Sequence, residues 1–313
     1  MKEQNFIRFM DSIISEQKAG NFLGTAHIYQ ASLNAFGAFT GSKNILFRQM
    51  TPALLKRFEH YLRLRGNSWN TVSTYMRALR AVYNRAVDRQ LAPYSPRLFK
   101  PVYTGTQADV KRSLKAEEMG LLLQMNHTAQ HPEAICRAHK MFVLMFLLRG
   151  LPFVDLAYLQ KRDLKGNILT YHRHKTGRQL TVTVPSEAME IILEYMDTDP
   201  DSPYLFPILS KKQKSHINYQ EYQYALRAFN YQLIQLAHLL GISKNLSSYT
   251  ARHTWATLAY HLEIHPGIIS EAMGHSSIKV TETYLKPFNI KKLDETNAHI
   301  ISFAKEAYTG LTL

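Results

Sequence analysis

Apolar residues recur at helical intervals over almost the whole of this chain, and at strand intervals in one place. Tyr29, Leu33, Phe36 and Phe39 step along one helical face after a short amphipathic segment at residues 3–18. Leu54, Leu55, Phe58, Tyr61 and Leu62 form a second stripe. It opens at Thr51-Pro52, where threonine can cap the helix and proline suits its first turn, and it stops at Gly66. Val72, Met76, Leu79, Tyr83 and Ala86 make a third stripe, on a helix expected from about Asn70 to Gln90. The exception is a hairpin: Ile168 to Tyr171, a turn at 175–178, then Leu180, Val182 and Val184 alternating with Thr181 and Thr183 until Pro185. A chain patterned this way is mainly α with one small β element.

The 313 residues are more than one ordinary core accommodates. The natural break is residues 92–113, where three prolines, a glycine and scattered basic residues show no periodicity. The expected division is an all-helical domain over 1–103, a linker over 104–113 and a second domain over 114–313.

Charge narrows the partner. There are 38 Lys and Arg against 24 Asp and Glu, a formal +14, which fits a polyanion because each phosphate neutralised releases condensed counterions. An anionic membrane surface would satisfy the same number. Along the third stripe's helix, Arg77, Arg80, Arg85 and Arg89 occupy other faces and meet one acid, Asp88. Pairing along the helix therefore cannot neutralise them. Thr71, Arg77, Arg80 and Arg85 are the candidate DNA contacts, with an ordinary solvated face as the competing reading.

Other classes are disfavoured. The single cysteine, Cys136, permits no internal disulfide and no cysteine-rich zinc site. The 14 histidines show no ligand spacing, so no metal and no other cofactor is expected. The first residues carry acids and no apolar core of a signal peptide, and the longest apolar run, Met141 to Leu148, is far below the roughly 20 residues of a spanning helix. A cytoplasmic protein is the expectation.

Three segments of the second domain carry reactive side chains. YHRHKTGRQLTVTVP places Lys175 at the mouth of the hairpin. SSYTARHTWATLAYHL reads as a helix capped by Ser248, with Ala251, Trp255, Leu258 and Leu262 inward and with Tyr249 and Arg252, three apart, on another face. EAMGHSSIKVTETYLK ends a helix at Gly274, puts His275 at the corner and brings Tyr284 nine residues later. Each has a bland explanation, as a surface lysine, a helix-cap histidine, or one of 18 tyrosines.

Taken in order, LRGLPFVDL, HKTG, ARHTWAT and MGHSSIKVTETYL resemble the catalytic domain of the tyrosine recombinases, the phage-integrase family, and look most like its short Bacteroidetes integrases and invertases. The resemblance spans the chain. It implies a SAM-like four-helix core-binding domain, a linker and a mostly helical catalytic domain with a small sheet, with each half-site clamped between the domains.

It also implies chemistry. Tyr284 would attack a DNA phosphodiester to give a 3′-phosphotyrosyl link, and the 5′-hydroxyl of a second strand would reverse the step. The covalent link conserves the bond, so no cofactor is needed. Arg252 would meet the charge growing on the non-bridging oxygens, for which a planar, permanently charged fork is suited. Lys175 would protonate the departing 5′-oxygen, and His275 would either bond the phosphate or accept the tyrosine proton. Nearby cations would lower the tyrosine pKa from its free value near 10.

Two positions depart from the family pattern. Its first arginine is replaced by Pro152, after Gly150-Leu151. Arg149 is the preferred substitute and Arg173 the rival, since 173 and 175 on one strand would point to the same side. Tyr249 stands where the family usually has histidine. These departures leave open a catalytically impaired DNA-binding accessory factor, and a type IB topoisomerase shares the chemistry. The expected partner is double-stranded DNA with short inverted-repeat core sites, bound by a homotetramer whose protomers are monomers when free. The tail from Asn289, with Leu293, Ile300, Ile301 and Phe303, is expected to dock in cis or on a neighbour. With no room ahead of the first helices for an arm-binding domain, simple inversion or excision is the expected outcome.

Overall fold

Four helices built on the expected stripes lead the chain: α1 (Phe6–Ala19), α2 (Leu23–Thr40), α3 (Pro52–Leu64) and α4 (Trp69–Asp88). The computed structural model describes residues 5–42, 44–107, 113–125, 131–210, 215–275, 277–282 and 290–309. Thr51 caps α3 by accepting the amide of Leu54 at 3.1 Å, with Pro52 in the first turn. Gly66, at φ +77°, adopts the left-handed conformation that ends the helix. Ser68 caps α4 through the amide of Thr71 at 3.2 Å. The stripe Val72, Met76, Leu79, Tyr83 and Ala86 is buried throughout, and Phe6, Phe36 and Phe58 meet edge to face in the same core.

Two details differ from expectation. The non-periodic stretch after residue 92 begins as part of this core: Leu98, Phe99 and Val102 are buried, and the buried Glu59 carboxylate accepts the amide of Tyr103. Proline breaks periodicity without preventing burial. Arg89 is not a surplus cation, because it grips Glu16 of α1 with both nitrogens at 2.8 Å, a partner that helical spacing along α4 cannot reveal.

The rest of the chain continues with α5 (Ala116–Gln124), α6 (Glu133–Leu147), α7 (Phe153–Tyr158), strands β1 (Leu164–Lys165), β2 (Ile168–His172) and β3 (Gln179–Thr183), α8 (Ser186–Tyr195), α9 (Ser215–Leu239), α10 (Ser248–His261), α11 (Pro266–Ala272), α12 (Ile278–Glu282) and α13 (Ile290–Thr309). By contact density there are two compact units, Met1–Asp109 with Gln213–Tyr219 and Val110–Lys212 with Gln220–Leu313. The sheet is antiparallel in the order β1-β2-β3, with Leu169 opposite Val182 and both buried. Its first strand is only two residues long, too short for alternation to reveal. Among the described residues, no helix is long and apolar enough to cross a membrane.

Candidate active site

Two helix ends and the hairpin converge on Arg252. Its side chain is buried, at 2% exposure, so its charge must be met by protein groups. One terminal nitrogen donates to the Gly150 carbonyl at 2.7 Å, and the other donates to the Met273 carbonyl at 2.6 Å and lies 2.9 Å from His275 Nε2. The Met273 carbonyl is at the C-cap of α11, where unpaired acceptors and the negative end of the helix dipole favour a cation, and Gly150 lies in the turn just past the C-cap of α6.

The sequence builds each corner locally. Where α6 ends, Arg149 and Gly150 both take positive φ, at +59° and +71°, and the Leu151 amide reaches back to the Met145 carbonyl at 2.9 Å. Glycine is required at 150, since an added Cβ would sit 3.0 Å from the Arg252 Cα. Where α11 ends, Gly274 at φ +65° turns the chain, and the His275 amide closes on the Ser270 carbonyl at 2.9 Å. A Cβ on Gly274 would fall 2.8 Å from a Leu180 methyl, so the hairpin packs directly on the histidine corner.

Three bonds tie the hairpin mouth into this cluster. Arg173 donates to the Met273 carbonyl and pairs through Nε with Asp155 at 2.6 Å, while Arg178 donates to the His275 carbonyl at 2.6 Å. Asp155, on α7, also accepts the amide of His174 at 2.8 Å. Burial pushes its carboxyl up, against the opposing pull of Arg173 and that backbone bond. The buried hydroxyl of Tyr171 is likewise pushed up, by burial and then by Asp155.

His275 is also bonded on its other side, with Nδ1 2.7 Å from Thr281 Oγ1. Burial lowers its pKa to about 4, helped by Arg252, Arg173, Arg178 and Lys175, so the ring is neutral at neutral pH. Several cations therefore surround one carboxylate, leaving net positive charge around a buried corner. That arrangement suits an anion whose charge grows during reaction. Among the described residues, no group of three or more His, Cys, Asp or Glu could hold a metal ion.

The phage integrase family model matches residues 112–289, and the phage integrase SAM-like domain model matches residues 5–100. The chain belongs to the phage integrase family. It is 26% identical over 239 residues to the tyrosine recombinase XerA of Pyrococcus furiosus, covering 74% of each chain. It is 20% identical over 283 residues to XerC of Listeria innocua, covering 88% of this chain and 91% of that one. The fold matches the Tn1549 transposon integrase in complex with a circular intermediate DNA, at a TM-score of 0.65 and 14% identity, covering 94% of this chain and 99% of that one. A lambda integrase tetramer bound to a Holliday junction matches at a TM-score of 0.61 and 13% identity, covering 91% and 78%.

Against the sequence expectations, the structure of this integrase gathers Arg252, His275 and Arg173 and places Arg149 and Lys175 at their edge. Arg173 and Lys175 do not share a strand face: pairing ends at the Arg173–Arg178 bond, so Lys175 lies exposed in the turn while Arg173 is buried. Tyr249 stays on the surface at 40% exposure, its ring 5.4 Å from that of His253, although Arg252 one turn later is buried. The α10 cap is Ser247 rather than Ser248, because the Ser248 amide goes to Asn230 at 2.7 Å. Ala251 is buried, Trp255 and Leu258 are half-buried, and Leu262 is exposed beyond the helix end. Tyr284 lies outside the described residues.

Sequence reasoning missed Asp155, Arg178 and Thr281. Asp155 had a signal, a lone acid inside the apolar run PFVDLA. Thr281 lay inside the MGHSSIKVTETYL segment, six residues from His275, but its bond to the ring depends on how the corner folds, and Arg178, bonded to a carbonyl 97 residues away, had no signal.

Proposed function

We propose that this integrase is a site-specific recombinase that cuts and rejoins DNA, with Tyr284 attacking phosphorus and remaining as a 3′-phosphotyrosyl link. The observation that carries the reading is the buried Arg252, held by two helix ends and His275 amid surplus positive charge. Arg252 would hold the non-bridging oxygens. Arg149 would join it: among the described residues it makes one hydrogen bond, a long one of 3.5 Å to the Thr181 carbonyl, and no ion pair with a carboxylate. Arg173, neutralised by Asp155, would position the hairpin. Lys175, exposed in the turn, would protonate the departing 5′-oxygen. Tyr249 would hydrogen-bond a phosphate oxygen. His275, whose Nε2 accepts a hydrogen bond from Arg252, would orient that guanidinium toward the phosphate.

Assembly on DNA would be tetrameric, with monomers when free and with the exposed Ile300, Ile301 and Phe303 of α13 docking on a neighbouring copy. Of the tail expectation, Asn289 and the Leu293 side chain lie outside the described residues. Excision or inversion at short repeats is the proposed outcome. The test uses a nicked duplex built on a site that the protein selects from a random-sequence pool. Wild type should accumulate a covalent adduct, and Tyr284→Phe should bind without forming one. Binding without an adduct in the wild type would favour an accessory factor.

A further inference from the structure

His275 is fixed through both ring nitrogens. Nε2 faces Arg252 Nη2 at 2.9 Å and Nδ1 faces Thr281 Oγ1 at 2.7 Å, with all three side chains buried. A guanidinium has donors and no acceptor, so Nε2 must present a lone pair. A neutral ring then carries its proton on Nδ1, and Thr281 is the acceptor. A doubly protonated ring would set a second donor against Arg252. Burial first, and then the cations Arg252 on α10 and Arg173, Arg178 and Lys175 of the hairpin, oppose that state and hold the ring's pKa near 4.

Thr281 belongs to α12, and Tyr284 follows it by three residues in the sequence. We propose that Thr281 is a positioning residue: by accepting the Nδ1 proton it holds His275 in the tautomer whose Nε2 is bare, and it couples that state to the seating of the helix that precedes the nucleophile. When α12 is seated, His275 can accept at Nε2 and cannot donate there. The functional meaning rests on the recombinase reading, while the tautomer assignment rests on the two hydrogen bonds alone.

The experiment compares wild type, Thr281→Val, which keeps the shape and removes the hydroxyl, and Thr281→Ser, which restores it. Ring-nitrogen-labelled histidine in the full chain gives nitrogen–proton correlation spectra without DNA, and His275→Gln identifies the resonance. Wild type should show a protonated Nδ1 and a bare Nε2. The valine variant should show a mixed or reversed tautomer and form the covalent adduct roughly tenfold more slowly or worse, and serine should restore both. A protonated Nε2 in wild type, an unchanged tautomer in the valine variant, or a folded serine variant that behaves like valine would each overturn the proposal. Should valine prevent folding, wild type and serine still decide it. A wild type with the expected tautomer and no adduct would sink the recombinase reading and leave the tautomer assignment standing.

Discussion

Arg173 and Arg252 donate to the same acceptor, the carbonyl of Met273. Two guanidinium groups on one oxygen repel, by a few kcal/mol at an effective dielectric near 20. The arrangement holds because their other charges are met differently. Asp155 neutralises Arg173, whereas Arg252 is stabilised by helix-end carbonyls and a neutral imidazole. One arginine is thus paired with a carboxylate, while the hydrogen bonds of the other go to neutral acceptors.

That division separates the two candidates for the family's missing first arginine. Arg173→Ala leaves Asp155 buried without its cation, so it should destabilise the protein by roughly 3–5 kcal/mol, with activity falling alongside. Arg149→Ala removes a guanidinium whose one hydrogen bond among the described residues is a long one of 3.5 Å, so stability should change little while adduct formation falls about 100-fold. Denaturant unfolding and adduct formation measured on both variants check this. Equal stability losses would return the question to Arg173.

Gly150 offers a second test, because its substitution has two separable costs. Any side chain there meets the penalty of φ +71°, and Gly166, at φ +58° with open space around it, carries the conformational penalty alone. Gly166→Ala should therefore cost about 1 kcal/mol. Gly150→Ala should cost more, roughly 2–4 kcal/mol, and slow adduct formation, because its Cβ would press on the Arg252 backbone at 3.0 Å. Similar losses from both would show that the contact with Arg252 carries no weight.

The same contrast of local and tertiary causes decides what was legible in the sequence. The helices of the first unit were readable because Thr51, Pro52 and Gly66 act on their own neighbours, whereas the Ser68 cap of α4 was not read. Gly274 and His275 were readable as a corner for the same reason. What escaped were contacts whose partners lie far along the chain, such as Asp155 with Arg173, Arg178 with the His275 carbonyl, and Arg89 with Glu16. Lys175 was read at the hairpin mouth, where it lies, but Arg173 was wrongly set on the same strand face, since the length of strand pairing is set by both strands together. Leu262 was placed inward because its spacing is helical, yet the helix ends before it.

His275 predicts a pH dependence of stability. Its folded pKa is about 4, against an ordinary value near 6.5 in the unfolded chain. Between these values the unfolded chain takes up a proton that the folded one refuses. The stabilisation is therefore complete above pH 6.5 and is lost as pH falls toward 4, by up to about 3 kcal/mol. Other carboxylates titrate in the same range, so the measurement is the difference between wild type and His275→Gln in denaturant unfolding at neutral pH and near pH 4.5. The variant should lose less stability than wild type on acidification. Parallel losses would mean that His275 is not held neutral.

The arginines of α4 make the last prediction. Arg77 and Arg80 are exposed, Arg85 is half-buried, and Arg89 is held by Glu16. Each phosphate contact removed should lower the slope of log affinity against log salt by about 0.9, because one fewer counterion is released. Arg77→Ala and Arg80→Ala should each show that decrement at any DNA sequence, with affinity weakened uniformly. Arg89→Ala should leave the slope nearly unchanged and instead cost stability by unpairing Glu16. DNA binding titrated across salt concentrations, together with unfolding of the same variants, separates the two. Loss of slope at Arg89 with none at Arg77 or Arg80 would move the phosphate-facing side of α4 away from the surface proposed for it.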